Sequence, residues 1–308
     1  MMSAVRLGRP ILLLGSAGQI GGELATRLGS LGRLIRAERA DADLEHPDAL
    51  RALVRRVEPG LVVNAAAYTA VDDAERDAGR CHRINAVAPG VLAEEAARLD
   101  APIVHFSTNY VFDGEADEPY DENARPAPLS TYGQTKLRGE EAIATATDAH
   151  LIFRTAAVYG WSGRNFMRRM LSLAREREEL QVVDDQFVAP TLASAIADAT
   201  VAAVRTVLAT GGGAGPYGTY HVTSQGGTSW FGFAERILAL DQQRTAQRLK
   251  RLRATSSAEF GASAERPLAH RPRNGLLSTQ KAARELGILL PSWEEDLERI
   301  MARPLEHL

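Results

Sequence analysis

A tyrosine and a lysine four residues apart, Tyr132 and Lys136, are the pair in this sequence with the clearest chemical use. On a helix that spacing places both side chains on one face. A phenol titrates near 10, so it needs help to exchange protons with a carbonyl near neutrality, and a neighbouring ammonium favours the phenolate. The choice of lysine is informative, because only Lys136, Lys250 and Lys281 occur among 36 basic residues. Arginine would replace that compact charge poorly. The bland alternative is a solvated surface pair. Ser107-Thr108 follows the apolar run Ile103 to Phe106, which puts the Thr108 hydroxyl at a strand's carboxyl end, where open α/β sheets bind ligands. Thr108, Tyr132 and Lys136 are therefore the catalytic candidates.

A second cluster is built to approach an anion. Gly15, Gly18 and Gly21 follow the run Ile11 to Leu14 and open a helix through Gln19 and Ile20. Such a turn brings backbone and helix N-terminal amides against a pyrophosphate. The acidic residue expected about 20 positions on is Glu38, suited to ribose hydroxyls and NADH. Its neighbours Arg36 and Arg39 would suit a 2′-phosphate and NADPH, or are plain surface charges. The cofactor stays open between NADPH and NADH. Asp43 and Leu44 would border the adenine, and Ala65, Ala66 and Ala67 would let the cofactor pass over small side chains.

The elements that must position these groups alternate regularly. Short apolar strands at 10–14, 34–37, 61–63, 103–106 and 151–153 are separated by amphipathic stretches. These include 47–57, with Pro47 at the first helical position, a helix over 72–99 interrupted near Gly79, and one at 130–146. That rhythm predicts an α/β fold: a Rossmann-like doubly wound parallel sheet. Beyond 160 it loosens. Helices are expected near 165–178, 192–209, 229–240, 279–286 and 293–301, with a strand at 181–183 and a late sheet strand at 220–222. Residues 1–9 read as a ragged lead and Gly211 to Pro216 as a mobile loop. The implied division is 1–160, with about 190–224 returning, against a smaller interleaved C-terminal domain of about 161–189 and 225–308 with its own core.

Composition narrows the function. The 308 residues carry a net charge of −3, which argues against nucleic-acid or membrane-surface binding. One cysteine, Cys81, excludes an internal disulfide and fits a cytoplasmic protein. The seven histidines show no metal-ligand spacing, and His105 reads as a core residue.

Together these segments resemble the dTDP-4-dehydrorhamnose reductase family of extended short-chain dehydrogenases/reductases. The resemblance is carried by GSAGQIGGEL at 15–24, STNYVFDG at 107–114, YGQTKLRGE at 132–140, VVDDQFVAPT at 182–191 and RPRNGLLST at 271–279, in order and with nothing large inserted. It implies NAD(P)H-dependent reduction of the C4 ketone of a dTDP-4-keto-6-deoxyhexose, in a cleft between the two domains, by a cytoplasmic monomer or homodimer. Tyr132 would donate the proton, Lys136 would support it and hold the nicotinamide ribose, and Thr108 would position the carbonyl. Asn109, Asn165, Gln186 and Arg271 would meet the nucleotide-sugar, with Asn85 supporting the helix behind the site. Some members dimerise around Mg²⁺; no matching carboxylate set is apparent, so no metal is expected.

Three positions depart from the family pattern. Asn109 stands where Asp is usual, Ala157 where many members have Trp, and Gly275 where Ser is usual. These changes point toward a related deoxysugar. Sugar-nucleotide 4,6-dehydratases, which share the glycine loop and the Tyr–Lys pair, place Asp-Glu where this chain has Asn109-Tyr110, so dehydration is disfavoured. An epimerase matches less well. A non-catalytic NADP-binding regulatory subunit, resembling the methionine adenosyltransferase β subunit, is opposed by the intact Thr108/Tyr132/Lys136 set.

Overall fold

A computed structural model of the chain describes residues 7–210, 215–262 and 266–302. Six parallel strands form its main sheet: β1 (Ile11–Leu14), β2 (Leu34–Ala37), β3 (Leu61–Asn64), β4 (Ile103–Thr108), β5 (His150–Thr155) and β10 (Gly218–His221). Their order is β10-β5-β4-β3-β1-β2. The chain therefore leaves β1 in one direction for β2 and in the other for β3. The carboxyl ends of β1 and β3 flank the switch point where such sheets open a crevice for ligand.

The unbroken apolar runs of the sequence are explained by burial on both faces. Ile11 and Leu13 of β1 join one apolar cluster, while Leu12 and Leu14 join the other. The first face is covered by α1 (Gln19–Arg27) and α8 (Ala193–Ala209). The second is covered by α2 (Pro47–Val57), α5 (Ala88–Arg98) and α6 (Thr131–Ala146).

The stretch expected as a helix with a break near Gly79 divides differently. It forms α3 (Val71–Ala74) and α4 (Ala78–His82), a π-helical turn at Arg83–Val87, and then α5. Gly79 lies inside α4, and the break falls at 75–77. The wide turn has a use: it buries Asn85, whose Oδ1 accepts from the Tyr68 amide at 2.9 Å while its Nδ2 donates to the Tyr68 carbonyl at 3.0 Å. The loop beyond β3 is thus pinned to the helix layer behind the site.

Past β5 the short strands β6 (Val158–Tyr159) and β9 (Thr191–Leu192) pair in parallel, as do β7 (Glu179–Val183) and β12 (Arg251–Thr255). Strands β8 (Phe187–Val188) and β11 (Thr228–Ser229) pair antiparallel. Among them lie α7 (Phe166–Glu176), α9 (Trp230–Gln242), α10 (Ser257–Ala262), α11 (Gln280–Leu286) and α12 (Trp293–Met301). The tail was expected to hold its own core. Instead Phe233, Ile237, Trp293, Leu297 and Ile300 belong to the same buried cluster as the first face of the sheet, because α12 packs on both α9 and β9, and β9 in turn adjoins α8.

The outer edge of β10 is covered by side chains. Lys281 Nζ donates to the Thr219 carbonyl at 2.9 Å, and the His221 amide donates to Glu122 Oε1 at 2.8 Å. Inward of that edge, Arg154 of β5 makes a buried ion pair with Glu140 of α6 at 2.6 Å, with His221 Nε2 3.5 Å from its guanidinium. Most of the Gly211 to Pro216 loop and of the ragged lead, at 211–214 and 1–6, lies outside the described residues.

Candidate active site

Thr108 ends β4 with its side chain buried and caps the short 3₁₀ turn Asn109–Val111, accepting from the Tyr110 amide at 3.1 Å. Tyr132 lies in the first turn of α6, which Ser130 caps by accepting from the Gly133 amide at 3.2 Å. Strand end and helix start thereby bring the Thr108 hydroxyl into hydrogen-bonding contact with the Tyr132 phenol. Burial pushes that phenol well above its usual range, and the Thr108 contact pulls the other way. Tyr110 packs edge-on against Tyr132, with ring centroids 5.8 Å apart.

Lys136 is buried one turn further along the same face, and burial lowers its ammonium to about 8. Nζ lies 2.5 Å from the Phe106 carbonyl and 3.0 Å from His105 Nε2. His105 is buried, as expected of a core histidine, but it is also the lysine's neighbour. Its other nitrogen meets Asn64 Nδ2 at 3.2 Å, while Asn64 Oδ1 accepts from the Ala66 amide at 3.2 Å. A row of close polar contacts thus runs from the loop after β3 to the lysine, in which the neutral imidazole accepts from one of its two donor neighbours. A histidine inside a strand gives no sequence signal of that kind.

The glycine loop fits a bound dinucleotide. Gly15 sits at φ +79°, where a Cβ would lie 2.7 Å from the Ala66 nitrogen, and a Cβ on Gly21 would lie 2.0 Å from the Gly15 carbonyl. Both loops are therefore drawn together as closely as backbone allows, and α1 begins at Gly18 with no side-chain cap, leaving its first amides for an anion. Beside them a cavity of about 170 Å³ is lined by Gly15, Glu38, Asp43, Leu44, Ala66 and Ala67. Ala65 is in contact with Gly15, and Gln19 and Ile20 open α1. Glu38 accepts from the Ser16 hydroxyl. Arg39, also on this cavity, pairs with Asp43 at 2.8 Å and Glu45 at 3.3 Å.

A larger cleft of about 1030 Å³ lies on the other side, lined by Phe166, Arg169, Gln186, Trp230, Phe260 and Arg271 among others. Gln186 Nε2 donates to Ser257 Oγ at 2.8 Å. Arg271 pairs with Asp72 of α3 at 2.8 Å and reaches the Tyr110 hydroxyl. Burial opposes its charge, but Tyr110 and Asp72 hold the guanidinium above its ordinary value. Tyr110 therefore joins this cleft to the Tyr132 phenol. Sequence reasoning missed Asp72, Tyr110 and the aromatic lining, which nothing in their local pattern sets apart.

Two residues expected at the sugar are held by hydrogen bonds within the protein. Asn165 caps α7, accepting from the Arg168 amide at 3.1 Å, and its Nδ2 donates to Gln19 Oε1 at 3.0 Å and the Gly160 carbonyl at 2.8 Å. It ties the start of α7 to the glycine-loop helix. Asn109 is buried beneath Thr108 and donates to the Gly275 carbonyl at 3.1 Å. Ala157 sits in the left-handed region at φ +44° between β5 and β6. Among the described residues no group of three or more His, Cys, Asp or Glu is arranged to hold a metal ion, and no helix is long and apolar enough to cross a membrane.

Residues 9–305 match the family model described as the RmlD substrate binding domain. A dTDP-4-dehydrorhamnose reductase of Burkholderia thailandensis is 44% identical, covering 92% of this chain and 95% of the relative. A probable dTDP-4,6-dihydroxy-2-methyloxan-3-one 4-ketoreductase of Streptomyces antibioticus is 38% identical, over 83% of this chain and 84% of its own. The crystal structure of a Bacillus anthracis dTDP-4-dehydrorhamnose reductase in complex with NADP superposes with a TM-score of 0.83 at 31% identity, covering 96% of this chain and 98% of that one. On sequence and architecture alike, the chain belongs to the dTDP-4-dehydrorhamnose reductase family.

Proposed function

We propose that this reductase uses NADPH or NADH to reduce the C4 ketone of a dTDP-4-keto-6-deoxyhexose, with Tyr132, Thr108 and Lys136 as its catalytic residues. The observation that carries the reading is the Thr108–Tyr132 contact at the sheet's carboxyl edge, between the cavity of Glu38 and Asp43 and the cleft of Arg271. The glycine loop and the first amides of α1 would hold the pyrophosphate, Glu38 or Arg39 the adenosine ribose, and Ala65 to Ala67 the passage toward the nicotinamide. When bound, that cofactor supplies the hydride for C4.

The chain's own groups handle the proton. Tyr132 is kept protonated by its burial and so stands ready to donate to the alkoxide forming at O4. Thr108 steadies the tyrosine oxygen as the proton leaves, and the Lys136 ammonium restores it. Residues 161–189 and 225–308 would supply the sugar-nucleotide side, where Arg271 and Arg169 suit a diphosphate and Phe166, Trp230 and Phe260 suit a base. The NADP-bound relative favours NADPH. The missing bulk at Ala157 and the Streptomyces relative favour a substrate range that includes sugars other than 4-dehydrorhamnose.

The test is oxidation of NADPH and NADH with dTDP-4-keto-6-deoxyglucose, with and without a 3,5-epimerase. Turnover that needs the epimerase and falls at least about 100-fold in Tyr132→Phe is expected. Cofactor binding without turnover of this or any 2- or 3-deoxy analogue would sink the reading.

A further inference from the structure

Two of the positions at which the chain departs from its family pattern, Asn109 and Gly275, are in contact. Asn109 Nδ2 donates to the Gly275 carbonyl at 3.1 Å, and a Cβ built on Gly275 would lie 2.3 Å from that same nitrogen. The Gly275 backbone has little freedom to yield. Its amide donates to the Phe187 carbonyl at 2.8 Å, Leu276 accepts from the Tyr120 amide at 3.0 Å, and Asn274 Nδ2 holds the Ala116 carbonyl at 2.8 Å. With the carbonyl fixed and acceptor-only, the amide of Asn109 has one orientation, nitrogen toward Gly275 and oxygen toward Thr108. The Thr108 hydroxyl accepts from the Tyr110 amide, and its single hydrogen has two acceptors within reach: that oxygen, with Oγ1 and Oδ1 3.3 Å apart, and the Tyr132 oxygen.

We infer that Asn109 and Gly275 form a coupled pair whose role is to aim the Thr108 hydroxyl, and that Asn109 is a positioning residue for the Thr108–Tyr132 contact. Each residue of the pair constrains the other. A carboxylate at 109 would turn an acceptor toward the Gly275 carbonyl and hold the Thr108 hydrogen as an anion does. A side chain at 275 would occupy the space the Asn109 amide fills. A carboxylate at 109 that swings clear of the new Cβ and of the carbonyl could accept from a serine hydroxyl at 275, so the two changes are expected to be less damaging together than apart. Gly275 thereby reaches the reacting proton through three side chains, Asn109, Thr108 and Tyr132.

This inference rests on the reductase reading, and its test is a double-variant cycle read in two ways. Asn109→Asp is expected to lower kcat at least 10-fold, with the KM for the keto-sugar and the NADPH affinity within about twofold of wild type. Gly275→Ser is expected to lose both kcat and Tm, and the double variant N109D/G275S to regain most of each. Asn109→Ala, which adds no bulk, keeps the idea testable if Gly275→Ser fails to fold, and should lose kcat while NADPH binding persists. The Tm cycle needs no substrate, so a wild-type protein that turns nothing over defeats the reductase reading while the coupling is still measured. Additive losses in Tm and kcat, or an Asn109→Asp or Asn109→Ala enzyme within twofold of wild type, would overturn the inference.

Discussion

Replacing Lys136 by methionine should abolish turnover and, at neutral pH, relieve the fold of a buried charge. Lys136 is 1% exposed, and burial lowers its ammonium from 10.5 to about 8. That gap of about 2.5 pH units corresponds to about 3 kcal/mol. Below pH 8 the lysine is charged in both states, so the native protein carries the whole penalty. Between pH 8 and 10.5 the native lysine releases its proton while the unfolded chain keeps its own, and the penalty fades. Methionine has a similar length and no charge, but it removes the donor to the Phe106 carbonyl and the neighbour of His105 Nε2, a loss that does not depend on this titration. The absolute stability difference between the two proteins therefore mixes two effects, whereas its pH dependence isolates one. Urea unfolding at pH 7 and pH 10 should show wild type gaining about 2–3 kcal/mol relative to Lys136→Met. A difference that stays constant over that range would refute the argument that this ammonium is held out of water.

His221 gives a slope of the same sign at acid pH. Burial, with Arg154 alongside, lowers its imidazole to about 3, so its contribution is complete above pH 6.5 and is lost as the pH falls toward 3. Wild type should lose about 3 kcal/mol between pH 7 and 4 that His221→Gln does not; equal acid slopes in urea titrations would contradict this. Glu140→Gln removes the ion-pair partner of Arg154, both side chains being about 6% exposed. It should cost about 3 kcal/mol or more, and a midpoint unchanged in denaturant would exclude the pair as a structural necessity. Gly21→Ala forces a methyl into the Gly15 carbonyl. NADPH affinity by fluorescence titration should fall at least about 100-fold, and retained affinity would show that the loop can reopen.

Elements whose side chains carry the packing were legible in the sequence. Strands β1, β3, β4 and β5 read correctly because burial on both faces demands unbroken apolar runs, and Pro47 marked the start of α2. Strand β12 was invisible for the converse reason. Arg251, Arg253 and Ala254 are exposed, and the strand exists through its backbone ladder with β7 and the Arg253–Glu179 ion pair. Glycine suggested the break in the 72–99 helix, which falls just before it at 75–77, and the π-helical turn at Arg83–Val87 leaves no compositional trace. At the site, the glycine spacing pointed to Gly15, Gly18 and Gly21, and the cavity beside them is lined by Glu38, Asp43 and Leu44. The direction of Lys136 and the burial of Asn109 depend on partners 30 and 166 residues away, which no local pattern encodes.

The covered edge of β10 has a consequence for the crowded cell. A parallel sheet that ends in a bare strand offers alternating donors and acceptors to any extended chain, its own copies included. Here one of the chain's three lysines and Glu122 occupy the Thr219 carbonyl and the His221 amide. The border is thus closed by two charged side chains rather than by another strand, and association by sheet extension would first have to displace them. Lys281 acts far from the chemistry, as a guard against self-templating.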